Sequence, residues 1–83
     1  MKIYYPAVFM PGVGCYELEF PDIKGCFTQG DTINECMEMA QKAISFMLEG
    51  AQNFPVPRKI TDVDLSDYPK GSFVSYVCFE VPA

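Results

Sequence analysis

Eighty-three residues suffice for one domain and leave no room for a second, so a single unit over residues 1–83 is expected. Eleven acidic against six basic residues give a net charge of −5, which argues against a nucleic-acid binder and predicts no direct contact with DNA. The apolar fraction of 49% excludes a disordered chain, and the absence of histidine removes the commonest general base and metal ligand.

Cys15, Cys26, Cys36 and Cys78 form no C-x-x-C pair, so the zinc pattern is missing. The opening MKIYYPAVFMPGVG holds one lysine and an apolar run broken by Pro6 and Pro11, without the small-residue cleavage site of a secretory leader. No apolar run is long enough to span a membrane. Reduced, mostly buried thiols in a cytoplasmic protein are the expectation.

In chain order, residues 2–10 (KIYYPAVFM) read as a strand, with Pro6 marking a bulge or an edge position because it has no amide to donate. After a turn at PGVG, residues 15–20 alternate: Tyr16, Leu18 and Phe20 share one face, Cys15, Glu17 and Glu19 the other. The two strands should form a hairpin with one covered face and one wet, acidic face. PDIKG is a second turn, residues 26–29 a short third strand, and Gly30 is expected to leave it with an unusual φ. Thr32 and Glu35 have capping-box spacing, and Asp31 just ahead suits a helix N-terminus.

From Ile33 to Ala51 apolar residues recur at helical spacing, over about five turns or roughly 28 Å. Gly50 or Asn53 is the expected stop, and Pro55 cannot continue the helix. Met39 and Phe46 flank the apolar stripe, either widening the core face or offering a contact for a second chain. Residues 54–71, with three prolines (Pro55, Pro57 and Pro69) and three aspartates (Asp62, Asp64 and Asp67), read as a long crossing loop in which ITDVDL is extended. Residues 72–81 are apolar on both faces, which predicts a central strand. The fold class is therefore α+β, in the order β-β-β-α-β: a small antiparallel-rich sheet with one helix packed on one face.

Chemistry is hard to find in this pattern. A metal-dependent nuclease needs carboxylates converging on cations. Here Glu17 and Glu19 share one strand, Asp62, Asp64 and Asp67 sit in the late loop, and the first strand has no acid. A cysteine nucleophile would lack an activating histidine, and PGVGCYE has neither the lysine nor the helix of a phosphate-binding loop. No catalytic residue, metal ligand or cofactor is assigned. A binding scaffold is the expectation.

Three groups of residues carry a resemblance. They are Tyr5 and Ala7; the turn Phe20, Pro21, Asp22, Gly25 and Cys26; and Thr28, Gly30, Asp31 and Thr32 ahead of a helix bearing Ala40 and Ala43. Together, over residues 3–57, they closely resemble the HicB antitoxin family. That resemblance implies a partial ribonuclease H-like fold. It also implies a partner, a small basic HicA-type ribonuclease toxin whose active site is covered, and a homodimer or larger homo-oligomer. Many members carry a C-terminal DNA-binding domain, for which the 83 residues have no counterpart. The charged contact with a toxin is expected at Glu17, Glu19 and Asp22, and Met39 and Phe46 are expected to meet either the toxin or a second copy. Two rival functions are a metal-dependent ribonuclease H-like nuclease, active or degenerate, and an interaction module with another kind of partner.

Overall fold

The branched and aromatic run at the start of the chain forms the longest strand, β1 (Lys2–Pro11), in a computed structural model that describes residues 1–81. Strands β2 (Tyr16–Glu19) and β3 (Phe27–Gly30) follow, then helix α1 (Ile33–Leu48) and strand β4 (Phe73–Glu80). The four strands make one antiparallel sheet in the order β3-β2-β1-β4, and α1 covers one face, as the α+β reading anticipates.

Alternation decides the core. Tyr5, Ala7 and Phe9 of β1, Leu18 of β2, and Val77 and Phe79 of β4 meet Cys36, Ala40, Ile44 and Leu48 of α1, with Phe20, Ile23 and Cys26 closing one end. The helix begins as its cap predicts: Thr32 Oγ1 accepts from the Glu35 N–H at 3.0 Å. It stops at Leu48, with Gly50, one of the two expected stops, just past its end at a φ of 77°. Sixteen residues give about 24 Å of helix rather than 28 Å.

Three further expectations are corrected. Gly30 has no positive φ; glycine is required there because an added Cβ would lie 2.6 Å from the Cys36 nitrogen, so the close approach of β3 to the first turn of α1 decides the residue. ITDVDL is not extended but folds into two 3-10 turns, Ile60–Asp62 and Leu65–Asp67, the second capped by Asp64 Oδ1 accepting from the Ser66 N–H at 2.9 Å. Finally, β4 is an edge strand rather than a central one. Its outer-face residues Val74 and Cys78 are half-buried and Tyr76 is 37% exposed, under a partial layer that is not a strand.

That layer is the crossing segment. Phe54 packs on the helix-side core against Phe79, whereas the Ile60 N–H donates to the Tyr76 hydroxyl (3.1 Å) on the opposite face. Between them the chain passes the rim of the sheet, where Pro55 O accepts from the Tyr5 hydroxyl at 2.7 Å. Asp22, in the turn after β2, accepts there from both the backbone N–H (3.0 Å) and Nε (2.7 Å) of Arg58. The ladder between β1 and β2 starts at Val8, so β1 has an open edge at Pro6, and the register with β4 runs through it without a bulge. A residue with no N–H fits that edge. Pro6 and Val8, which point away from α1, are nonetheless fully buried.

Candidate functional site

The face of the sheet opposite α1 is built by register. Met10 pairs with Glu17, which pairs with Gln29, and Val8 pairs with Glu19, which pairs with Phe27. Each row places its side chains as cross-strand neighbours on one face, and Glu17 and Glu19 stand about 7 Å apart along β2. The result is an open groove of about 360 Å³ lined by Met10, Glu17, Glu19, Phe27 and Gln29, among others. Glu17 is exposed, Glu19 half-buried, and Phe27 presents 73% of its surface to solvent.

The electrostatics of this end are negative and partly shielded. Tyr68, at the end of the crossing segment, has its pKa pushed up to about 12, first by burial and then by the Glu19 carboxylate beside it, with Arg58 acting against the shift. Glu19 therefore joins the groove to the crossing segment, while Glu17 faces solvent. An aromatic ring flanked by carboxylates can seat an apolar side chain and attract cationic ones.

The five residues expected to contact a partner fall in three places. Glu17 and Glu19 are brought together in the groove. The Asp22 carboxylate is only 8% exposed and is turned inward onto Arg58, so it serves the chain's own crossing segment. Met39 and Phe46 lie on α1, on the far side of the core from the groove, with exposures of 39% and 81%. At 81% exposed, Phe46 does not widen the core face. Phe27, Met10 and Gln29 were not singled out from the sequence. The signal available was the alternation of residues 27–29, which sets Phe27 and Gln29 against Thr28 once the pairing to β2 is known.

Glu17 and Glu19 do not join Asp62, Asp64 and Asp67 in a metal site: among the described residues no group of three or more His, Cys, Asp or Glu could hold an ion. The four thiols are unpaired, Cys26 and Cys36 buried, Cys15 and Cys78 half-buried. Burial pushes the Cys26 and Cys36 pKa values upward, with Cys15 and Glu35 adding to the effect on Cys36. Thiols shifted this way are poorer nucleophiles at neutral pH. Among the described residues no helix is long and apolar enough to cross a membrane.

Comparison with known proteins places this architecture. The family described as HicB_like antitoxin of bacterial toxin-antitoxin system matches residues 5–77. The chain is 38% identical over 71 residues to Antitoxin HicB 1 of Photorhabdus laumondii, which covers 75% of this chain and 46% of that protein. It is 51% identical over 35 residues to a 14.9 kDa protein of the rep-hol intergenic region of Haemophilus phage HP1, covering 42% of this chain and 26% of the other. The chain thus spans less than half the length of the curated relatives it matches. Among solved structures, the HicA3 and HicB3 toxin-antitoxin complex contains a chain matched with a TM-score of 0.72 at 27% identity, covering 95% of this chain and all of that one. The N-terminal domain of Burkholderia pseudomallei antitoxin HicB matches with a TM-score of 0.80 over 95% of this chain and 100% of the other, a likeness of fold at 19% identity.

Proposed function

The chain belongs to the HicB-like antitoxin family of bacterial toxin-antitoxin systems, and from that premise we propose that it binds a small basic HicA-type mRNA-cleaving ribonuclease and inhibits it by covering the active site. The observation that carries the reading is the acidic groove on the uncovered end of the sheet, where Glu17 and Glu19 flank the exposed Phe27 ring. A basic toxin surface is drawn to the carboxylates over long range, and Phe27 with Met10 supplies apolar contact at short range. The chain acts as a cover and not as a catalyst, in the cytoplasm where such a toxin works.

A second copy belongs in the same proposal. Strand β4 runs eight residues along the open edge of the sheet with no proline, lysine or bulge, and its only charge is Glu80 at its end. Such an edge is a template for another strand. In an antiparallel β4–β4 pair centred between Tyr76 and Val77, the two Glu80 side chains would sit at opposite ends, far from each other. We assign this edge to homodimerisation, which light scattering would show as twice the chain mass.

The test of the main reading is a ribonuclease assay with a HicA-type toxin and stoichiometric additions of this protein. Loss of RNA cleavage near one equivalent is the expected result. The double variant Glu17→Lys, Glu19→Lys should associate more slowly, by about tenfold or more at low salt, with the difference shrinking as salt rises. Equal association rates at low salt would remove the groove from the interface. Cleavage that persists at excess wild-type protein would remove the antitoxin reading itself.

A further inference from the structure

The other end of the same sheet face has the opposite character. Lys2, Arg58 and Lys59, three of the six basic residues in the chain, line an open groove of about 500 Å³ together with Tyr4, Tyr76 and Pro57. Tyr4 is 52% exposed and is held edge-on to Tyr76, with ring centroids 6.3 Å apart. Tyr76 is itself fixed by accepting from the Ile60 N–H. Among the described residues, neither Lys2 nor Lys59 has a carboxylate within salt-bridge distance, although Glu80 is the cross-strand neighbour of Lys2. Arg58 gives its Nε to Asp22, and its two terminal nitrogens have no protein acceptor among the described residues.

We propose that this groove is a binding site for a nucleoside monophosphate unit, the base lying on Tyr4 and the phosphate held by Lys2 and Lys59. Two ingredients select that class. Cations alone would take any anion, whereas a pre-positioned tyrosine face adds affinity for a planar base. The volume falls in the range of small-molecule sites, which is about 300–1,000 Å³. The net charge of −5 repels a long polyanion but much less a single nucleotide, so the ligand is one unit. That ligand is a free nucleotide rather than the end of an RNA strand.

The experiment is an amide-shift titration of the labelled protein with adenosine 5′-monophosphate, inorganic phosphate, and a short oligoribonucleotide carrying a 5′-phosphate. Saturable shifts confined to residues 2–4, 58, 59 and 76 are expected, with the nucleotide binding about tenfold more tightly than phosphate, the factor a single stacking contact supplies. Tyr4→Leu should remove that factor while leaving phosphate binding unchanged, and Lys59→Glu should weaken both ligands. Equal or weaker binding of the oligonucleotide is expected, and tighter binding would overturn the assignment to a single nucleotide. No saturable shift, shifts elsewhere, or phosphate binding as tightly as nucleotide would overturn the proposal. Toxin inhibition, which depends on the acidic end of the face, is scored separately, so either idea can fail alone.

Discussion

Gly30 shows how one side chain can be dictated by a neighbour distant in the fold's logic but close in space. An added Cβ would lie 2.6 Å from the Cys36 nitrogen and 2.9 Å from its Cα, both backbone atoms that cannot swing aside. Gly30→Ala should therefore destabilise the fold by about 1–3 kcal/mol through overpacking, read as a lower urea midpoint with an unchanged slope. A change below 0.5 kcal/mol (about the spread of neutral surface substitutions) would show that α1 can shift outward without cost. The sequence marked Gly30 as special but for the wrong reason. Conformational freedom is the default explanation for a glycine after a strand, whereas close approach is visible only with the helix in place.

The crossing segment between α1 and β4 is where an element takes its structure from long-range partners. It has little periodicity of its own and is tied down at Tyr5, Asp22 and Tyr76, partners 50, 36 and 16 residues away in sequence. The Asp22 carboxylate is the most heavily used, accepting from Arg58 twice while only 8% exposed. Asp22→Ala should cost about 1.5–3 kcal/mol, the range for hydrogen bonds to a charged group. It should also raise amide exchange across residues 55–60, because local opening of this strap no longer breaks a charged pair. Protection that stays at the wild-type level would mean the strap is held by burial alone. The same interaction explains why Asp22 reads from sequence as a surface charge for a partner: its acceptor role is satisfied by a residue that no local pattern connects to it.

For the molecule as a whole, four buried or half-buried acids shift in one direction. Burial comes first in raising Cys26 and Cys36 above 9.0 and Tyr5 and Tyr68 above 10.0, Tyr68 to about 12. In each case folding favours the neutral form, so the stabilising contribution is complete below the unfolded value and is lost as pH rises through the folded one. Thermal stability should hold up to about pH 9 and fall steadily toward pH 12. Tyr68→Phe should flatten the part of that fall between pH 10 and about 12, the interval set by its own shift. A midpoint temperature independent of pH over this range would contradict the linkage. The same tyrosine sits against Glu19 of the acidic groove, so alkaline loosening of the crossing segment should reach the proposed toxin-facing surface.

What the sequence determined by itself is local and periodic. Alternation set the faces of β2, the 3.6-residue repeat set the face of α1, Thr32 set its start, and two-state patterning of apolar and polar residues was enough for the α+β class. The tertiary structure alone decided the rest. It put β4 at the edge, tied residues 54–71 to Tyr5, Asp22 and Tyr76, and turned Asp22 inward. It also separated Glu17 and Glu19 from the helix residues Met39 and Phe46 while bringing them to Phe27. The physical reason is common to all of these. Burial and hydrogen-bond satisfaction are properties of three-dimensional neighbours, and a strand apolar on both sides has the same pattern whether strands or a crossing loop cover it.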